Sequence, residues 1–390
     1  MWIARKYERT LGDLAGQFPA VVVTGPRQVG KTALVQRVFP DFTYVSLDIP
    51  SLAAQAEQSP ESFLSARQRP LIIDEVQYAP SLFRHLKVVI DREKKRQGRF
   101  ILTGSQTFSL MQGISESLAG RCGMLTMLNL SATEVREAFA SFDEDAYLFK
   151  GGYPELCARP EIHPHFWYAA YLATYLERDV RNLLSVGSLR DFDRFLRAVA
   201  IRTGQVLSYS ELARDVGIAP NTAKKWISVL QASGQIFLLE PYHRNMGKRL
   251  IKSPKLYLCD TGLAIFLMGF ESWDALVRHP AIGAIWETHV VMEVVRHFAC
   301  RGERVPLWYW RTVQGAEVDL LVERTGRFIA IEAKFSEQPD GASLKGIHAL
   351  AGFYGQKSLV SGYVASRTPN PYPLADKVRA VPGSLIGQFL

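Results

Sequence analysis

The chain has 390 residues, of which 47% are hydrophobic and 22% charged, an ordinary globular balance with room for two or three cores. Its net charge of +8 suits a polyanionic partner. The four cysteines, Cys122, Cys157, Cys259 and Cys300, form no C-x-x-C pair, which argues against a zinc module or a disulfide framework. No apolar stretch reaches membrane-spanning length, and Met1-Trp2-Ile3-Ala4-Arg5-Lys6 leads into no signal-peptide core, so a cytoplasmic chain with no membrane partner is expected.

Residues 1–130 alternate strand and helix, at 21–25, 32–39, 43–48, 61–68, 70–75, 81–96, 99–104, 109–119 and 122–128, the rhythm of an α/β unit with a mostly parallel sheet. Gly25-Pro26-Arg27-Gln28-Val29-Gly30-Lys31-Thr32 reads G-x-x-x-x-G-K-T between the apolar run Val21-Val22-Val23 and a helical run, the context a phosphate-binding loop needs. Its glycines let backbone N–H groups curl around phosphates at a helix N-terminus. Lys31 would reach the β- and γ-phosphates of ATP, and Thr32 would place its hydroxyl on Mg²⁺. Leu71-Ile72-Ile73-Asp74-Glu75 ends a buried strand in two carboxylates: Asp74 fits the Mg²⁺ shell and Glu75 the base that activates water. A third strand ends at Thr103-Gly104-Ser105, so Ser105, or Thr103, is expected to sense the γ-phosphate or the water.

From Ser131 the pattern is helical. Ser131-Ala132-Thr133-Glu134 is a capping box, Gly151-Gly152-Tyr153-Pro154 is a break, and 164–185 and 189–203 read as amphipathic helices of a lid covering 131–203. Within 204–270, a short helix at 210–216 turns at Gly217 into Pro220–Leu230. There Ala223, Trp226, Ile227 and Leu230 share a core face and leave Asn221, Thr222, Lys224, Lys225 and Ser228 on other faces. Two strand-like runs, 236–239 and 255–258, flank a connection holding Arg244, Lys248, Arg249 and Lys252. That is the pattern of a winged helix with a basic wing, and double-stranded DNA is the expected partner; protein partners are the alternative for such a module.

In 280–390, Glu317-Val318-Asp319-Leu320-Leu321-Val322 and Phe328-Ile329-Ala330-Ile331-Glu332-Ala333-Lys334 read as a hairpin about Thr325-Gly326. Asp319, Glu332 and Lys334 could converge to hold Mg²⁺ and polarise a water, with Glu287 as a further ligand from an upstream helix and Glu317 as a neighbour. The alternative is an ordinary Glu/Lys pair on an exposed hairpin face. His289, Glu293 and His297 are read as a partly exposed helix face.

The order of these motifs resembles the bacterial and archaeal AAA-type ATPases with a C-terminal domain of unknown function, DUF4143. The shared runs are G-P-R-Q-V-G-K-T at 25–32, L-I-I-D-E-V-Q at 71–77, L-T-G-S at 102–105, S-L-A-G-R at 117–121, Y-L-E-R-D-V at 175–180, D-T-G-L at 260–263, G-A-E-V-D at 315–319 and I-E-A-K at 331–334. The resemblance implies a P-loop NTPase core, a helical and winged-helix middle, and a C-terminal α/β domain similar to PD-(D/E)xK nucleases. It also makes Arg121 a candidate arginine finger, a role needing a closed lid or a second copy in a homo-oligomer; the alternative is a surface arginine before a strand. No chemistry attaches to Arg178 and Asp179.

Overall fold

The computed structural model describes residues 1–93, 96–105, 113–114, 116–176, 189–242, 253–304 and 306–390. The first sheet contains β1 (Ala20–Gly25), β2 (Thr43–Ser46), β3 (Leu71–Asp74), β4 (Phe100–Ser105) and β5 (Cys122–Thr126), in the order β2-β3-β4-β1-β5 and parallel throughout. All six residues of β1 are buried, as a central parallel strand covered on both faces requires. Period-two alternation divides them: Val21 and Val23 join one core with Ile101 and Leu125, whereas Ala20 and Val22 join another with Phe100 and Leu102. Register brings Gly25 beside Ser105 and Ser46 beside Asp74, so the polar clusters meet at the carboxyl ends of the strands.

The capping box forms as the spacing predicts, with the Ser131 hydroxyl accepting from Glu134 N–H and the Glu134 carboxylate accepting from Ser131 N–H. Of the expected helix 164–185, Pro164–Tyr171 is α-helical and Leu172–Leu176 continues as a π-turn; the rest, with Arg178 and Asp179, lies outside the described residues. Of the helix expected at 109–119, residues 109–112 and 115 lie outside the described residues, and 113–114 and 116–117 are helical. Leu189–Ile201, expected in the lid, packs with the two helices that follow it. Phe192 and Phe195 meet Trp226 edge-on at ring separations of 5.2 and 5.0 Å. Those helices, Tyr209–Val216 and Pro220–Ala232, are joined through left-handed Gly217. They lead into an antiparallel sheet, β6 (Gln205–Val206), β8 (Lys255–Leu258) and β7 (Ile236–Leu239), ordered β6-β8-β7. The basic connection carrying Arg244, Lys248, Arg249 and Lys252 lies outside the described residues.

The C-terminal part is a six-stranded mixed sheet, β13 (Tyr372–Ala375), β14 (Val378–Pro382), β12 (Leu359–Ser366), β11 (Arg327–Ala333), β10 (Glu317–Arg324) and β9 (Leu307–Arg311), in that order. The predicted hairpin is β10–β11, with Leu320 opposite Ile331. Helix Ala281–Ala299 packs on this sheet through Trp286, Val290, Val294 and Phe298. Its other face corrects the exposed reading of His289, Glu293 and His297. His289 and Glu293 are buried, and only His297 is half-exposed. The polar stripe that suggested solvent instead meets partners from residues 129–147.

That contact belongs to a buried polar network. The Asp260 carboxylate accepts from Tyr168 Oη (2.6 Å), Gly152 N (2.8 Å), Leu263 N (2.9 Å) and the Asn129 side-chain amide. Asn129 Oδ1 in turn accepts from Arg296 Nε (2.9 Å), and Arg296 also donates to Glu293 Oε1 (2.9 Å) and the Cys259 carbonyl (2.8 Å). Gly151 lies against this carboxylate with φ +78°, and a Cβ there would collide with both of its oxygens, so glycine is required on both counts. Asp260→Ala leaves the Gly152 and Leu263 N–H groups and the Asn129 amide without that acceptor, while the Tyr168 hydroxyl keeps the Lys150 carbonyl at 2.9 Å, and should lower stability by about 3 kcal/mol or more. Urea unfolding followed by tryptophan fluorescence checks this; an unchanged midpoint would mean that apolar packing alone holds the parts together.

Candidate functional site

Glycine and left-handed backbone shape the loop after β1. Gly25 has φ +144° and packs against the Met127 carbonyl so closely that a Cβ would overlap it. Gln28 (φ +59°) and Gly30 (φ +90°) bend the chain into helix Lys31–Val38. Arg5 braces the loop from outside: its guanidinium donates to the Val29 carbonyl at 2.8 Å and the Leu128 carbonyl at 2.7 Å, and pairs with Glu134 at 3.1 Å. With Arg5 only 5% exposed, these bonds satisfy a buried cation.

Lys31 is buried, and its ammonium donates to the carbonyls of Gly25 (3.1 Å) and Pro26 (2.7 Å). Burial pulls its pKa down to about 8, against the opposing pull of Glu75 and Asp74. The Thr32 hydroxyl donates to Asp74 Oδ1 at 2.9 Å, the Tyr44 hydroxyl to Asp74 Oδ2 at 2.9 Å, and the Thr103 hydroxyl also to Oδ1. Glu75 is left-handed (φ +55°), a costly conformation for a residue with a Cβ, and its N–H donates to Thr103 Oγ1 at 3.3 Å. Its carboxylate accepts from the Gln77 amide. The Ser105 hydroxyl is buried without a partner among the described residues. Gly25–Thr32, Asp74, Glu75 and Ser105 thus meet at one end of the sheet.

Arg121 does not. It directly precedes β5, whose first residue Cys122 is level with Ala20, at the amino end of β1. The loop leaves the carboxyl end of β1, five residues further along, or about 17 Å at strand rise. Its guanidinium pairs with both oxygens of Asp91, at 2.7 and 3.0 Å. A finger role within the same chain is excluded by that position.

In the C-terminal cluster, Asp319 accepts from Ala333 N–H (2.9 Å), and Lys334 pairs with Glu332 (3.2 Å). Glu287 accepts from Tyr257 Oη (2.7 Å) and from Lys255 Nζ (2.8 Å). Burial, reinforced by the Asp319 charge, pushes Glu287 up to about 7, and burial with Asp319 pushes Glu332 well above the carboxylate range. Lys255, which the sequence reading passed over, also pairs with Glu317 and lies 3.6 Å from Asp319. Among the described residues no group of three or more His, Cys, Asp or Glu side chains is arranged to hold a metal ion. His289 is a core residue: Nε2 lies 3.0 Å from Ser384 Oγ, and burial lowers its pKa to about 3, leaving it neutral.

Sequence reasoning also missed Arg5 and Tyr44. Lys255 did carry a signal, a lysine opening the otherwise apolar strand Lys255-Leu256-Tyr257-Leu258. Among the described residues no helix is long and apolar enough to cross a membrane.

A parallel sheet with this loop and these carboxylates at its carboxyl ends defines a P-loop nucleotide-binding fold. Family models match an AAA domain at residues 17–136, a domain of unknown function (DUF8612) at 142–274 and another (DUF4143) at 282–386. Uncharacterized protein Rv2008c of Mycobacterium tuberculosis and Uncharacterized protein Mb2031c of Mycobacterium bovis are each 34% identical over 372 residues, 94% of this chain and 81% of theirs. The chain therefore belongs to the family of AAA-type P-loop ATPases that carry a C-terminal DUF4143 domain. Among solved structures, the Walker-type ATPase PABY2304 of Pyrococcus abyssi is 16% identical, covering 68% of this chain and 96% of that one at a TM-score of 0.45. The RuvB Holliday junction branch migration motor of Thermotoga maritima is 18% identical, covering 60% and 89% at 0.32.

The Lys31 environment sets a pH dependence for nucleotide affinity. The free ammonium titrates near 8, and bound phosphates would hold its proton to higher pH. Affinity for a fluorescent ATP analogue should therefore be full below pH 8 and fall above it, approaching about tenfold per pH unit. Lys31→Met should bind weakly with no such slope; an equal slope in both proteins would assign the proton elsewhere.

Proposed function

We propose that this chain is a Mg²⁺-dependent ATPase whose nucleotide state is coupled to double-stranded DNA binding through its middle domain. The observation that carries the first half is the 2.9 Å contact between the Thr32 hydroxyl and the Asp74 carboxylate, with the Lys31 ammonium folded into the same loop. That donor set fits a hard oxygen-seeking cation: one hydroxyl, one carboxylate and room for phosphate oxygens. When bound, Mg²⁺ neutralises phosphate charge. The N–H groups of Gly25–Thr32 hold the phosphates, and Lys31 exchanges its loop carbonyls for phosphate oxygens. Thr103 and Tyr44 hold Asp74 in place, Glu75 takes the proton from the attacking water, and the unpartnered Ser105 hydroxyl contacts the γ-phosphate or that water.

The DNA half rests on the helix pair. Asn221, Lys224 and Lys225 are exposed at the N-terminal part of helix Pro220–Ala232, and the small sheet behind it fits a winged helix. The turn after that helix touches the nucleotide loop: a Cβ at Gly234 would stand 2.8 Å from Pro26 Cγ. A homo-oligomer would let Arg121 serve a neighbouring copy once freed from Asp91. The composition and cysteine pattern favour a cytoplasmic setting. Nuclease chemistry is not part of this reading, because Glu287, Asp319 and Glu332 do not fit a divalent cation in the arrangement described above.

ATP turnover should vanish in Lys31→Ala and with EDTA, and should fall about a hundredfold or more in Glu75→Gln while ATP binding persists. Wild-type turnover in either variant would remove the site assignment. For DNA, affinity for a duplex should drop steeply between 50 and 200 mM salt, about as expected for several phosphate contacts, and the Lys224→Ala/Lys225→Ala protein should show a shallower salt slope. No duplex binding at low salt, with or without ATP, would make the middle domain a site for protein partners instead.

A further inference from the structure

Four acidic side chains, Glu287, Glu317, Asp319 and Glu332, gather where the C-terminal sheet faces the middle sheet, and the first three share one ammonium. Lys255 is the first residue of β8, in the middle sheet, and its side chain is 3% exposed. Its Nζ lies 2.8 Å from Glu287 Oε1 and 3.6 Å from Asp319 Oδ1 and contacts Glu317 Oε1; the Tyr309 ring lies beneath it, 5.7 Å to the centroid. The other cations nearby are already paired, Arg311 with Glu317 (3.3 Å) and Lys334 with Glu332 (3.2 Å). Strand pairing sets Lys255 opposite Leu239, the last residue of β7. Tyr242 N–H donates to the Tyr309 carbonyl (2.8 Å) and Tyr309 N–H to the Glu240 carbonyl (3.0 Å), so the segment after β7 runs beside β9.

A compact ammonium with three donors satisfies buried carboxylates much as a small cation does. A divalent ion ligated by Glu287 and Asp319 would share their oxygens with that ammonium at contact distance, where like charges repel strongly in a buried site. We infer that Lys255 is the resident cation of this cluster, and that the carboxylates join the C-terminal domain to the middle sheet in place of holding a divalent metal. Metal can enter only where Lys255 is removed. The inference is independent of the ATPase reading, since its test uses no nucleotide.

Mn²⁺ bound to the nucleotide-free full chain, counted by electron paramagnetic resonance, decides it. Wild type and Asp319→Asn should bind the same number of ions, whereas Lys255→Ala should gain one site that Lys255→Ala/Asp319→Asn loses. A wild-type Mn²⁺ site lost in Asp319→Asn would overturn the inference, as would a folded Lys255→Ala that gains no site. If Lys255→Ala does not fold, the wild-type comparison with Asp319→Asn still decides the matter, with circular dichroism showing that both are folded.

Discussion

The Asp260 carboxylate is the constraint on which the rest of the arrangement rests. It is 3% exposed, and its acceptors are filled by groups from the end of the first sheet, from the helical segment and from its own helix N-terminus. A buried carboxylate is tolerated only when its lone pairs are met, so these segments hold one geometry or all lose an essential partner together. Through Asn129 the same constraint reaches Arg296, whose guanidinium is likewise saturated by Glu293 and the Cys259 carbonyl. The C-terminal domain is thereby tied to the nucleotide-binding domain by charge-assisted bonds as well as by packed side chains.

The nucleotide loop is supported in the same manner from several parts of the chain. Arg5 holds two carbonyls, one within the loop and one just beyond β5, while Gly234 of the middle domain abuts Pro26. Lys31 rests on its own loop's carbonyls, a satisfied state that phosphates must outcompete. The groups that hold the loop in shape come from three separate stretches of sequence.

Local chemistry was legible and distant partnership was not. The loop, Asp74 and the Ser131–Glu134 capping box are written within a few consecutive residues, and each takes the position its spacing implies. Arg5 finds Leu128 across 123 positions and Glu293 finds Ala132 across 161, separations at which periodicity carries no information. The exposed reading of Glu293 failed for that reason: a polar stripe on a helix looks the same whether water or a buried arginine meets it. Arg121 is different, because a residue that immediately precedes a parallel strand lies opposite a loop that follows one. That signal was present in the sequence and needed only the strand direction to be applied.

The four residues Met127–Leu130 have a mechanical consequence. The Met127 carbonyl presses on Gly25, the Leu128 carbonyl is gripped by Arg5, Asn129 feeds Asp260 and Arg296, and Leu130 N–H bonds the Gly152 carbonyl at 2.7 Å. These polar contacts are made by backbone or by a short amide, and the side chains of Met127, Leu128 and Leu130 are buried among other apolar groups. In a close-packed interior such a stretch has little compliance. Any shift of the loop would therefore be passed on rather than absorbed, since the stretch is a short rigid link from the loop to the seam between the domains.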